Sequence, residues 1–242
     1  FLPVLSRTAP SSIRSLSSAT EFRQHLSVAV KTAAVLIVPI TVLMTTMSTP
    51  IVRLVYERGA FDAAATGPTG LALLIYSIQL PLTALDQLFI VTFYAMRNTI
   101  TPVVVGIASG VVYLAIALTL VEPFGMFGLI TANTVQNSVH GLVMGTALWW
   151  LIRGSIGRGN WVFAVKLVVS GTVMALVALA IRDVVRTDLE PDGRMGWLTL
   201  LLAGGAALIT YLAAVAVLGI DEIAKLRLFV LQAITRRRIN ST

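Results

Sequence analysis

Apolar residues run along the chain in six long blocks, at about 29–50, 69–95, 102–121, 127–151, 162–181 and 196–219, separated by short polar breaks. Each block supplies the roughly 20 residues that a tilted helix needs to cross the hydrocarbon core of a bilayer. No water reaches the backbone there, so each segment must satisfy its own N–H and C=O groups, and the blocks predict helices. The alternating pattern of a membrane β-barrel is absent. The pattern therefore predicts an all-α integral membrane protein in three parts. Residues 1–27 comprise what reads as the end of an earlier apolar segment, at Phe1–Val4, and a polar cytoplasmic connector. Residues 28–220 form a six-helix unit and residues 221–242 a tail.

Local signals refine the helices. Pro39 stands near the middle of the first block, where it should kink the helix and free a carbonyl, and Pro50 stands near its far end. In the loop "RLVYERGAFD", Asp62 is placed to cap the approach to the second helix. Pro102 suits the first turn of the third helix. Gly106 and Gly110 form a small-xxx-small pair that would admit a close helix neighbour. In the tail, Ile223, Leu226, Val230 and Ile234 share one face, and Arg236, Arg237 and Arg238 close a basic amphipathic stretch suited to an anionic membrane surface.

Two blocks carry polar residues at membrane depth. On a wheel of 100° per residue, Gln79, Thr83, Asp86 and Gln87 fall in one stripe of the second block, with Pro81 on the opposite face. In the fourth block Asn133, Asn137 and His140 follow i, i+4, i+7 spacing, and Gln136 joins them. Such groups face other helices or water, because exposure to lipid costs several kcal/mol. The pair of stripes predicts either a polar cavity with coupling groups or a seam of interhelical hydrogen bonds.

Composition supports the class: 57% of residues are hydrophobic and 12% charged, against roughly 25% charged in a soluble domain. The net charge of +7 is explained by position rather than by nucleic acid. When the six spans are threaded through a bilayer, 13 of the Lys and Arg residues fall on the side of both termini and 5 on the other. The positive-inside rule puts both termini in the cytoplasm. There is no cysteine, no G-x-x-x-x-G-K-[ST] loop and no H-E-x-x-H or other His/Asp cluster for a metal, and "GSIGRG" lacks the preceding strand of a dinucleotide site. No catalytic constellation, cofactor or metal is expected, and no basic n-region and h-region of a signal peptide is evident. Arginine and lysine are also missing at mid-membrane, where an anionic headgroup would need them.

Several stretches together resemble a known family. "LPVLSR" at 2–7, the span centred on Pro39, "LVYERGAFDAAAT" at 54–66, "ALLIYSIQLPL" at 72–82 and "FYAMRNTITPV" at 93–103 are similar, in order and spacing, to the C-terminal half of the MurJ/MviN lipid II flippases of bacterial peptidoglycan synthesis. Beyond residue 103 the likeness rests on helix count and order. The resemblance implies that the six spans are helices nine to fourteen of a fourteen-helix transporter, the C-terminal lobe of a two-lobed, alternating-access machine in the bacterial inner membrane. It implies lipid II or a related polyprenyl-diphosphate-linked sugar as cargo, membrane lipids as surroundings, and a separate N-terminal transmembrane half that holds the headgroup-binding arginines. It further implies that residues 162–181 and 196–219 border an apolar groove for the polyprenyl tail. Many members of the family lack an acid where Asp86 stands, so no family role passes to it.

Two alternatives stay open. One keeps the superfamily and changes the cargo, to another lipid-linked oligosaccharide or a drug exported by cation coupling, which the Asp86 stripe would suit. The other is a non-transporting scaffold that gathers cell-wall proteins through its basic tail.

Overall fold

A computed structural model describes residues 16–152, 158–186 and 193–220. Within them the chain is helical and contains no strand. The elements are α1 (Leu16–Thr46), α2 (Ser48–Tyr56), α3 (Ala63–Ile78), α4 (Leu80–Ala95), α5 (Ile100–Phe124), α6 (Met126–Ile152), α7 (Arg158–Arg186) and α8 (Gly193–Val217). Four helices have a stretch long and apolar enough to cross a membrane: 22–46, 100–124, 160–184 and 200–217. The pair α3 and α4 makes a fifth when taken together, bent by 43°. The six expected spans are thus four or five on apolar length. The block left out of that count, the fourth, is present as α6, 27 residues long, but Asn133, Gln136, Asn137 and His140 dilute its apolar character.

Two helices begin or break where the apolar pattern alone gives no warning. Instead of starting near residue 29, α1 is already helical from Leu16, well inside the polar connector. It ends at Thr46, and after Met47 the chain resumes as α2 with Pro50 in its first turn. The second block is not one helix: it breaks at Gln79, and Pro81 sits in the first turn of the new segment. Proline has no N–H for the carbonyl four residues back, so it favours a break just ahead of itself.

The carbonyls these breaks release are taken up by side chains of other helices. Pro39 leaves the Val35 carbonyl without its helical donor, as expected, and the hydroxyl of buried Tyr211 on α8 donates to it at 2.7 Å. Pro50 does the same to Thr46, whose carbonyl accepts from Arg182 Nη1 on α7 at 3.1 Å. At the Gln79 break, the Thr134 hydroxyl on α6 donates to the Ile75 carbonyl at 3.3 Å. An unpaired carbonyl in a dry interior costs about 1–3 kcal/mol. Tyr211→Phe should therefore lower the stability of the detergent-purified protein by roughly 1–3 kcal/mol, seen as an earlier unfolding midpoint. An unchanged midpoint would show that the Val35 carbonyl finds another donor.

Helix α1 is the hub. On one side it packs against α7 and α8 in a core of Val35, Met47, Met174, Ala178, Ala207 and Tyr211. On the other it meets α4 and α6 through Phe22, Leu26, Phe93, Met144 and Leu148. Between them, α3 lies against α1, α2 and α6. Asp62 caps α3 as its sequence position suggested, its Oδ1 accepting from the Ala65 N–H at 3.1 Å. Helix α5 packs on α6 at the edge of the bundle, with Val103, Ile107, Val111 and Leu118 exposed. Gly106 and Gly110 point the same way: a Cβ on either would meet nothing within 4 Å, so within the described residues this pair receives no neighbouring helix. The close approach in the α5–α6 hairpin is made instead by Gly128 on Leu120.

Candidate functional site

Gln79 occupies the break between α3 and α4, where its side chain is buried. From there the polar stripe of α4 reads against that of α6 like two edges of a seam. Asn137 Nδ2 donates to Gln79 Oε1 at 2.7 Å and also lies 3.1 Å from Asn133 Oδ1. Gln79 Nε2 reaches the same Asn133 oxygen at 3.5 Å, a long contact that closes the triangle. Thr83 turns back to donate its hydroxyl at 3.1 Å to the Gln79 carbonyl, which also accepts from the Thr83 N–H at 2.9 Å.

One turn further along, Asp86 Oδ2 and His140 Nδ1 are 2.9 Å apart. Both side chains are nearly enclosed, at 10% and 11% exposure. Asp86 Oδ1 is buried without a hydrogen-bond partner. The pair can come this close because position 141 is glycine. A Cβ there would stand 3.0 Å from the Leu82 carbonyl oxygen and 3.5 Å from Asp86 Cβ, so the α6 backbone rests almost directly on α4.

Six of the eight cavity or coupling candidates are thus gathered along one helix interface: Gln79, Thr83, Asp86, Asn133, Asn137 and His140. Gln87 lies on the exposed surface and Gln136 is half-buried, and neither enters this network. Arg236, Arg237 and Arg238 lie outside the described residues. Sequence reasoning missed Thr134 and Gly141. Thr134 matters through the carbonyl that the break at Gln79 exposes, and Gly141 sits at i+8 from Asn133 on the same face, a spacing that could have suggested a helix contact.

Chemically the seam is an arrangement of neutral amides and hydroxyls around one acid–imidazole pair. It offers hydrogen-bond donors and acceptors and one exchangeable proton between Asp86 and His140, and it holds no nucleophile–base pair. Among the described residues no three His, Asp or Glu side chains converge as metal ligands would.

Comparison with known proteins gives the chain its relatives. A family model described as "Lipid II flippase MurJ" matches residues 1–234. The probable lipid II flippase MurJ of Rhizobium meliloti is 31% identical over 196 residues, which is 79% of this chain and 36% of that protein. The lipid II flippase MurJ of Thermosipho africanus is 31% identical over 148 residues, 60% of this chain and 27% of its own length. A solved structure titled "Lipid II flippase MurJ, inward closed conformation" aligns with a TM-score of 0.70 at 21% identity, over 92% of this chain and 43% of that one. At that identity the structural likeness speaks for the fold. The chain spans about a third of the length of the curated relatives it matches.

Proposed function

The chain belongs to the MurJ lipid II flippase family, and from that premise we propose that it forms the C-terminal lobe of a fourteen-helix flippase that carries lipid II from the inner to the outer leaflet of a bacterial cytoplasmic membrane. The observation that carries this reading is the match of one family model along nearly the whole chain, residues 1–234. The helices supply what such a lobe needs. In this reading α1, the bent pair α3 and α4, α5, α6, α7 and α8 are six spans. The polar face of α6 can cross the bilayer because α4 covers it through the Gln79–Asn137 and Asp86–His140 contacts. Both termini lie in the cytoplasm, where the positive-inside count places them, and residues 221–242 rest on the inner leaflet.

Translocation by alternating access needs no covalent step. The lipid tail stays near the bilayer while a diphosphate-sugar headgroup passes between two lobes that rock against each other. This lobe's seam is neutral apart from Asp86 and His140, so the cations for the diphosphate come from the other lobe, as in the family that the sequence resembles. Gln79, Asn133 and Asn137 hold the moving lobe together at its bent helix, and among the described residues the buried Asp86–His140 pair is where a proton or cation could be coupled to movement.

The full-length protein should restore growth and normal shape to cells depleted of their own lipid II flippase. Continued lysis, with the protein present in the membrane at ordinary levels, would falsify this cargo. A specific observation, the buried Asp86–His140 pair, favours one variant: coupling of transport to a cation, which a drug or another lipid-linked sugar could share. Purified protein that flips such a cargo but not lipid II would select it.

A further inference from the structure

A second feature lies on the opposite face of α4 from the polar seam. A cavity of about 480 Å³ opens between α1, α4, the end of α6 and the start of α7. It separates the two hydrophobic cores. Its walls are apolar, with Pro81, Leu85 and Phe89 of α4 facing Leu167 and Val168 of α7. Along α1 the lining runs from Arg23 to Val38. The fifteen helical rises between them cover roughly 22 Å, enough to reach from a headgroup layer past the middle of a ~30 Å hydrocarbon core.

The polar groups of this cavity are not scattered. Arg23 and Lys31 both line it, and no Asp or Glu does. Among the described residues, Arg23 Nε is buried without a hydrogen-bond partner. Lys31 Nζ is held over the Phe163 ring at 5.3 Å. Trp149 and Trp161, both exposed, stand among the lining residues where α6 ends and α7 begins, the same end of the bundle as Arg23. Tryptophans at such a position mark the level of an interface. An apolar slot one leaflet deep, with Arg23 and an interfacial tryptophan pair at one end and Lys31 about 12 Å further along α1, is shaped for one class of ligand. Basic pockets between membrane helices take anionic lipid headgroups.

We propose that this crevice binds an anionic glycerophospholipid of the leaflet at the α1 N-terminus, with an acyl chain between α4 and α7 and the phosphate at Arg23 and Lys31. The chain's own tail is a poor occupant. It brings Lys225, Arg227, Arg236, Arg237 and Arg238 to a site that is already positive. The lipid is a resident of the lobe rather than cargo, so the inference stands apart from what the protein transports. Bound there, it bridges the two cores across α1 and α7.

Native mass spectrometry of the full-length protein, with equimolar phosphatidylglycerol and phosphatidylcholine of identical chains, tests this. Phosphatidylglycerol should be retained in preference, and Arg23→Gln should lower that preference roughly fivefold, the factor for about 1 kcal/mol per cation. Lys31→Gln should do the same. If loss of its Phe163 contact unfolds that variant, Arg23→Gln and a cavity-filling change carry the test. Ala164→Trp starts from an exposed position on the cavity wall and should abolish retention of both lipids with the charges intact. Phosphatidylglycerol with brominated chains should quench tryptophan emission in the wild type and not in Ala164→Trp. Equal retention of the two lipids, or retention untouched by Ala164→Trp, would overturn the proposal. So would mole-for-mole displacement by undecaprenyl diphosphate, which would make the crevice part of the cargo path. Binding that appears only after residues 221–242 are deleted would overturn it too, in favour of the tail.

Discussion

His140→Leu should cost the folded protein about 3–5 kcal/mol, the amount by which removing one partner destabilises a buried ion pair. The reason is what remains. Asp86 Oδ1 already lacks a partner, and without the imidazole at 2.9 Å its Oδ2 loses the other. The buried carboxyl group is then left with nothing to bond. Asp86→Leu in the same background should recover most of the loss, because two apolar side chains pack against each other without desolvating a charge. Unfolding midpoints of the two variants in detergent decide the matter. A double variant as unstable as His140→Leu alone would mean that the site is held by packing around Gly141 and not by the pair.

The same two variants separate a scaffold from a coupling device. If the pair only joins α4 to α6, the double variant is stable and still supports growth of depleted cells. If the pair carries a proton through the transport cycle, the double variant is stable and dead. A fold-level role cannot produce that second outcome, since the measurement is made on protein that has kept its stability. The neutral amides nearby offer an internal comparison. Gln79→Leu removes two interhelical contacts, each worth about 1 kcal/mol or less in membrane proteins, and leaves no charge behind.

Both stripes were legible in the sequence because polar residues stand out against an apolar background, and helical spacing assigns them to a face. Their pairing was not legible. The wheel of the second block assumes one straight helix, whereas the 43° bend at Gln79 sets which residues of α4 meet which of α6. Gln87, one residue and so about 100° round α4 from Asp86, faces the surface. Pro81 announced that bend, yet its consequence depends on a donor from elsewhere, Thr134 on the Ile75 carbonyl. Pro39 tells the same story more favourably. A freed carbonyl was expected from the proline alone, but nothing in residues 29–50 says that Tyr211, 176 positions from Val35, supplies the proton. Composition settles class and span. Partners across long separations are set by packing, which a single sequence does not display.

Glycine gives the sharpest contrast between motif and contact, and the second large effect. Gly128→Ala should destabilise the protein by about 3 kcal/mol, the upper part of the range for overpacking a tight interior. A Cβ on Gly128 would run into the Leu120 carbonyl group, oxygen and carbon alike. These are backbone atoms of the preceding helix, and a side-chain rotation cannot move them. Relief must come from the hairpin itself, yet α5 and α6 are joined through Gly125 alone, at φ +53°, which leaves little slack. The added methyl must therefore pry α6 away from α5, and with it the seam that α6 makes with α4. Gly106→Ala and Gly110→Ala, in the same hairpin, meet open space. They should be neutral or raise stability by up to about 1 kcal/mol, because alanine loses less backbone entropy in a helix than glycine does. Thermal unfolding of the three variants under one detergent condition tests the ordering. Destabilisation by Gly106→Ala or Gly110→Ala would mean that a helix does pack on that face of α5 in the intact protein, and the visible small-xxx-small pair would regain the role that its spacing suggests.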